Sequence, residues 1–164
     1  MKTYLLIIFL VILATGCTYK GHYEGSGVSF DYPIGWKCNK PMDLPGALII
    51  VSAPSNKAMV IIGREKANSS LEDRYLEHVQ KLQEELSKYC YEKISNRTLT
   101  VDNSKAYELV YKLGCDQTQT RQQIRMIILQ KGDYFYIIEC ESAPEDFTKE
   151  NRNFDTIINS LHIL

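Results

Sequence analysis

The strongest constraint on the fold is a series of strand-like segments in the second half of the chain. Over residues 106–113, Tyr107, Leu109, Tyr111 and Leu113 alternate with the other side chains, which is the repeat of a β-strand with one distinct face. Short polar turns around Asn103 and Gly132 favour antiparallel pairing. We therefore expect an antiparallel meander built from this segment and three others, at 91–101, 122–130 and 134–140.

The first half of the chain predicts further strands. Over residues 28–32, apolar and polar side chains alternate, and Pro33 then ends the pairing. The single tryptophan, Trp36, is expected to fill one end of the core, with ligand stacking as the lesser alternative. Two short apolar runs separated by turn residues predict a buried hairpin, at 47–51 and 58–62.

Two segments have the repeat of amphipathic helices. The first can be capped by Ser69 or Ser70, and its apolar stripe is Leu71, Tyr75, Val79, Leu82 and Leu86. The second extends from about Pro144 to His162, with the stripe Phe147, Phe154, Ile157, Ile158 and Leu161. Helices set apart from a run of strands predict an α+β fold around a central antiparallel β-sheet.

Residues 1–16 are typical of an export signal. Lys2 precedes an unbroken apolar run over 5–13, which is shorter than the roughly 20 residues of a membrane span. The following Ala14-Thr15-Gly16-Cys17 resembles the end of lipoprotein signal peptides, although Ala14 stands where leucine is commonest. That resemblance implies cleavage before Cys17 and attachment of membrane lipid to its thiol. An ordinary cleaved signal or an uncleaved anchor remains an alternative.

The N-terminus also divides the chain. Residues 17–26 are polar and glycine-rich, so we expect a lipidated N-terminus and short flexible tether there, followed by one domain over 27–164. Lipidation predicts a location on the extracytoplasmic face of the cell membrane. A formal net charge of −1 gives no basic excess, so no nucleic-acid partner is expected.

Four cysteines remain if Cys17 carries lipid, namely Cys38, Cys90, Cys115 and Cys140. An even number in an exported protein favours two disulfides, and the preferred pairing is Cys38 with Cys90 and Cys115 with Cys140. Other connectivities, or four reduced thiols, remain open. The spacing contains no CxxC pair, so no zinc site is expected.

The sequence contains no motif that identifies an enzyme or a cofactor site. GxSxG, HExxH, a phosphate-binding glycine loop and an EF-hand loop are all absent, and His22, His78 and His162 are not spaced as metal ligands. We therefore predict no catalytic residue, metal or cofactor, and His78 is interpreted as a surface residue.

Two asparagines and two glutamates are further candidate site residues. Asn68 and Asn96 begin Asn-X-Ser/Thr triplets and are possible glycan acceptors. Glu139 and Glu141 flank Cys140, so on a strand both carboxylates share the face opposite the thiol. They form either a paired acid site or the solvent-exposed end of a strand.

Three parts of the chain together resemble the PsbP family. They are Phe-Asp-Tyr-Pro-Ile-Gly-Trp at 30–36, the amphipathic helix after residue 70, and Phe-Asp-Thr-Ile-Ile-Asn-Ser-Leu at 154–161. The resemblance covers about residues 24–164. It implies a central antiparallel sheet flanked by helices on both faces, as an α/β/α sandwich. The family includes a lumenal accessory subunit of photosystem II, a Ran-binding import factor and many lipoproteins of unknown role.

The resemblance implies a binding or accessory scaffold rather than a catalyst. No photosystem-binding segment is recognisable, so neither a photosynthetic role nor the family's functional residues are carried over. We expect a non-enzymatic lipoprotein that binds an envelope protein or complex. The alternatives are a small-ligand or glycan-binding module, which would use a groove beside the sheet, and an unrecognised enzyme with titratable groups converging in a pocket.

Overall fold

In the computed structural model, which describes residues 20–41, 44–114 and 121–164, the chain is an α+β domain. Its helices are α1 (Leu71–Leu86) and α2 (Pro144–Ser160), with single 3₁₀ turns at Pro54–Asn56 and Ser87–Tyr89. Its strands are β1 (Lys20–Gly25), β2 (Val28–Pro33), β3 (Lys37–Asn39), β4 (Ala47–Ser52), β5 (Ala58–Lys66), β6 (Glu92–Val101), β7 (Ser104–Leu113), β8 (Gln122–Lys131), β9 (Tyr134–Ser142) and β10 (His162–Ile163).

Seven strands form the main sheet in the order β3-β4-β5-β9-β8-β7-β6, and every neighbouring pair is antiparallel. The predicted meander and the predicted hairpin of β4 and β5 are therefore confirmed. At the β6–β7 turn, Asp102 and Asn103 both have positive φ, at 47° and 59°. Such a turn matches the right-handed twist of the flanking strands.

The predicted flexible tether is wrong for residues 20–25, because these residues form β1. This strand pairs with β2 along its whole length, from Lys20 opposite Pro33 to Gly25 opposite Val28. Together with β10, the two strands form a second, three-stranded sheet in the order β1-β2-β10. The folded domain therefore includes residues 20–25, which precede the predicted boundary at residue 27.

Aromatic packing explains why a glycine-rich segment forms a strand. The Tyr23 ring stacks on Phe30, with centroids 5.2 Å apart. A Cβ at Gly21 would lie 2.3 Å from Cε2 of Tyr32, so the absent side chain leaves room for that ring. An aromatic ring that covers a glycine on a neighbouring strand is a known way to hold such strands together.

Alternate side chains of β8 enter two separate cores. Ile127 and Leu129 join the larger core, which includes Phe154 of α2 and Trp36. Ile128 joins the smaller core, which includes Tyr75 of α1. Trp36 is only 7% exposed and meets the Phe154 ring edge-on at 6.3 Å, so its predicted place in the core is confirmed.

The α+β class and the antiparallel sheet are confirmed, but the coverage of the sheet departs from the predicted α/β/α sandwich. On one side, α2 shares its core with the three-stranded sheet. On the other side, the stripe of α1 packs mainly on β7 and β8, while Ile61 of β5 and Glu139 of β9 line an open groove. One helix is about 10 Å wide and strands lie about 4.8 Å apart, so a single helix cannot cover seven strands.

The helix boundaries largely follow the prediction. Ser70 caps α1, and its Oγ accepts a hydrogen bond from the Asp73 N–H at 3.1 Å. α2 ends at Ser160, before the predicted His162, because His162 and Ile163 pair with β2 as β10. Among the described residues, no helix is long and apolar enough to cross a membrane.

The preferred disulfide pairing is wrong. Cys38 and Cys140 are free thiols, and Cys140 is fully buried in the larger core, where burial raises the pKa of its thiol. Cys90 is disulfide-bonded. The other two cysteines, Cys17 and Cys115, lie outside the described residues. Strand alternation points Cys140 into the larger core, where it lies opposite Arg125 of β8, and its thiol is free there rather than bonded to Cys115.

Candidate functional site

The part of the main sheet that neither described helix covers forms a groove with a volume of about 280 Å³. Strands β5 and β9 form its floor through Ile61, Gly63, Ile137 and Glu139, and α1 contributes His78. The segment before β4 forms the opposite wall through Leu44, Pro45, Gly46 and Ala47. The groove therefore combines an apolar floor with four titratable residues in its lining, Arg64, Glu65, His78 and Glu139.

Glu139 is the most unusual side chain of this groove. It lies on β9 between Ile61 of β5 and Met126 of β8. No hydrogen bond or ion pair joins its carboxylate to another described residue. Burial raises the pKa of Glu139 above its usual range, because an apolar surrounding disfavours the charged form.

Glu141 lies two residues further along β9 and faces the same side. It lines an adjoining groove of about 360 Å³ together with Met59, Gln122 and Lys57. In that groove, Glu141 Oε2 accepts a long hydrogen bond of 3.5 Å from Gln122 Nε2. Burial and the neighbouring Glu139 raise the pKa of Glu141. The sequence prediction that both carboxylates face away from the buried Cys140 is confirmed.

His78 adds a second unsatisfied polar atom to the first groove. Its Nε2 is buried and has no hydrogen-bond partner among the described residues. Burial lowers the pKa of His78, and the nearby Arg74 guanidinium lowers it further, so the neutral imidazole is favoured. His78 is therefore half-buried at the edge of the apolar stripe, so the predicted surface residue has a partly covered ring. Its position three residues after Tyr75 and four before Leu82 sets it beside the apolar stripe, a relation that is readable from the sequence.

The opposite side of the sheet provides a contrast, because its buried charges are paired. Glu108 accepts hydrogen bonds at 2.6 Å from Arg125 Nε and at 2.6 Å from Arg97 Nε. Arg125 Nη1 also donates to Asp155 at 2.6 Å and to Asn151 at 2.9 Å. This network joins β6, β7, β8 and α2 and leaves no charge in it unopposed. It is a structural element rather than a candidate binding site.

The groove is suited to binding by charge and shape. A carboxylate on an apolar floor can accept hydrogen bonds from a cation, and a neutral imidazole nitrogen can donate or accept one. Among the described residues, no group of three or more His, Cys, Asp or Glu side chains could hold a metal ion. We therefore describe the groove as a candidate recognition site.

The other predicted site residues lie apart from the groove. Asn68 is exposed in the segment before α1, and Asn96 is exposed on the edge strand β6, where it contacts Tyr75 of α1. Both remain predictions as glycan acceptors. Cys17, the predicted lipidation site, lies outside the described residues.

The protein-family model described as PsbP-like protein matches residues 17–163, which is most of the chain. A comparison with curated protein sequences gave no match.

Comparison with solved structures gave several similar folds. The solution structure of cyanobacterial PsbP (CyanoP) from Synechocystis sp. PCC 6803 has a TM-score of 0.68 at 15% identity, over 92% of this chain and 96% of that one. The Ran-binding protein Mog1p from Saccharomyces cerevisiae has a TM-score of 0.62 at 11% identity, over 89% and 96%. LpqN from Mycobacterium tuberculosis, described as involved in cell envelope biogenesis, has a TM-score of 0.58 at 9% identity, over 88% of each chain. At these identities the likeness concerns the fold alone.

Proposed function

The chain belongs to the PsbP-like family, and on that premise we propose that it is a non-enzymatic binding domain for a cell-envelope protein or complex. In this proposal, lipid on Cys17 holds the domain at the extracytoplasmic face of a membrane. The fold is shared with a Ran-binding protein and with a protein of envelope biogenesis, and this likeness supports a binding role by analogy only.

The observation that carries the binding role is the uncovered groove beside α1. Its floor is apolar, and it contains a carboxylate and an imidazole nitrogen that have no partners among the described residues. Partial burial disfavours the charged form of the unpaired Glu139 carboxylate, so a partner that brings a cation to it is stabilising.

The geometry of the N-terminus supports the anchor. Cys17 precedes Lys20, the first residue of β1, by three residues, and an extended link of that length reaches about 10 Å. Lys20 pairs with Pro33, and the next residue, Ile34, is 62% exposed. Lys37 is exposed nearby. An apolar side chain with lysines around it suits contact with anionic lipid headgroups.

The alternative of a small-ligand or glycan-binding module would use the same groove. The volume of about 280 Å³ is at or below the lower limit of typical small-molecule pockets. The groove is therefore better suited to a protruding side chain than to a whole ligand, which favours a protein partner.

Affinity purification of the tagged full-length chain from detergent-solubilised membranes tests this function. We expect one protein to co-purify repeatedly in a fixed ratio. If no protein recurs across independent preparations, the binding role is contradicted. The Cys17→Ser variant is the control, because it should lose the membrane location while keeping the fold.

A further inference from the structure

We propose that the groove and its neighbour along β9 dock an extended segment of the protein partner that presents basic side chains to Glu139 and Glu141. This inference rests on the proposed binding function and names the chemistry of its partner.

Glu139 lacks a balancing charge within the described part of the fold. Of the other charged residues that line its groove, Glu65 already pairs with Arg74 of α1. The Arg64 side chain lies over the Tyr134 ring, 5.0 Å from its centroid. Strand alternation sets that ring on the opposite side of the sheet from Glu139. A cation from outside the domain is therefore the missing partner of this carboxylate.

The spacing of the two carboxylates favours an extended chain over a single small cation. Glu139 and Glu141 are two residues apart on one strand, which sets them about 7 Å apart on the same face. An extended partner repeats its side chains at the same interval. Lysine or arginine at two alternate positions therefore matches both carboxylates at once.

The apolar surface around the carboxylates accommodates the rest of such a segment. Ile61 and Ile137 line the first groove, and Met59 lines the second. These side chains can cover the aliphatic stems of lysine or arginine, which bury their methylene groups while the charged end makes contact.

Peptide binding to the full-length protein in detergent tests the charge requirement. The probes are Ac-Val-Lys-Val-Lys-Val-NH₂, the same frame with glutamine in place of lysine, and N-acetyl-lysine methylamide as a single amine. We expect the lysine peptide to bind at least tenfold more tightly than either other probe. The double variant Glu139→Gln, Glu141→Gln should lose at least tenfold in affinity for it, whereas Glu24→Gln, an exposed acid on β1, should lose none.

The proposal is overturned if the lysine and glutamine peptides bind alike, if the double variant binds as the wild type does, or if the single amine binds as tightly as the peptide. Since glutamine preserves shape and removes only charge, circular dichroism should show that the double variant is folded.

Photo-crosslinking in membranes separates this proposal from the broader function. A benzoylphenylalanine at Ile61 reports on the groove, and one at the exposed Thr148 of α2 reports on a distant surface. We expect an adduct from Ile61 that is lost in the double variant, with lysine or arginine next to the attachment point. An adduct from Thr148 alone overturns the groove proposal and leaves the binding role intact. Absence of any adduct contradicts the binding role itself.

Discussion

At the scale of single residues, the pKa values of two half-buried acids of this domain are shifted in opposite directions. Burial raises the pKa of Glu139, whose carboxylate has no ion-pair or hydrogen-bond partner among the described residues. Burial alone would also raise the pKa of Asp102. However, Asp102 accepts hydrogen bonds from Lys131 Nζ, from His162 Nδ1 at 2.8 Å and from the Ile163 N–H at 3.0 Å. These contacts outweigh burial and lower the pKa of Asp102 to about 2. At neutral pH the ionised Glu139 therefore destabilises the native state, whereas the ionised Asp102 stabilises it.

The Glu139→Gln variant should be more stable than the wild type at neutral pH. A carboxyl whose pKa is raised on folding favours the native state when protonated, and that contribution is lost as pH rises through the raised pKa. Glutamine removes this loss, so we expect a higher Tm at pH 7 and little difference near pH 4. Glu141 and Tyr111 face the same region, and their perturbations should weaken in the variant. A Tm at pH 7 equal to or below that of the wild type would contradict a desolvated, unpaired Glu139.

The Asp102→Asn variant should be less stable at neutral pH, by about 2 kcal/mol. The pKa of Asp102 is lowered on folding from 3.8 to about 2, so its stabilisation is present above pH 4 and is lost as pH falls towards 2. Urea denaturation at pH 7 and at pH 2.5 measures this difference. Asp133→Asn, at an exposed position in the β8–β9 turn, serves as the control and should change stability little. Equal urea midpoints for Asp102→Asn and wild type at pH 7 would show that the contact does not hold β10 in place.

At the scale of elements, the Arg125 network ties α2 to the main sheet. Arg125 and Glu108 are both about 5% exposed, whereas Arg97 is 63% exposed. Breaking a buried pair leaves an uncompensated charge and costs about 3–5 kcal/mol, whereas an exposed pair contributes less than about 1 kcal/mol. We therefore expect Arg125→Met to lower the free energy of unfolding by about 3 kcal/mol and Arg97→Met by less than 1. Equal effects in urea denaturation would contradict the assignment of Arg125 as the buried centre.

The disulfide of Cys90 is predicted to join Cys115. Cys38 and Cys140 are free, and the Gly114 N–H donates to the Tyr89 carbonyl oxygen at 2.8 Å, so the residues preceding both cysteines are in contact. Peptide mapping without reductant should recover a Cys90–Cys115 linked pair and two alkylatable thiols, at Cys38 and Cys140. Cys90→Ser should cost about 3 kcal/mol, as expected for a loop of that length. A linked pair that contains Cys38 or Cys140 would contradict this assignment.

The elements differ in how far sequence could predict them. The β6–β9 meander and α1 follow from alternation and capping, because each is a local pattern with one buried face. Strand β1 does not, since its glycines suit a loop until Tyr32 and Phe30 of β2 are placed against it. β10 is only two residues long, so it has no repeat to detect. The side of the sheet on which Glu139 lies was predictable from the two-residue repeat of a strand. That no described side chain pairs with it was not predictable, because this depends on how far α1 extends across the sheet.

At the scale of the whole molecule, one domain carries both the proposed membrane anchor and the candidate binding groove. Lys20, the first described residue, already belongs to β1 and follows the proposed lipidation site Cys17 by three residues, and neither described helix covers the groove beside α1. Under the proposed anchoring, so short a separation would restrict how far the domain can move from the bilayer. A domain held at the membrane encounters membrane-bound partners within a thin layer, so its effective concentration relative to those partners is higher than it would be in free solution.

Membrane fractionation of wild type and Cys17→Ser, combined with the mass of the N-terminal peptide, tests the proposed lipid anchor. We expect the wild type in the membrane fraction, beginning at Cys17 and carrying acyl chains, and we expect Cys17→Ser in the soluble fraction. Wild-type protein that is soluble with an unmodified Met1, or a Cys17→Ser variant that stays with the membrane, would contradict it.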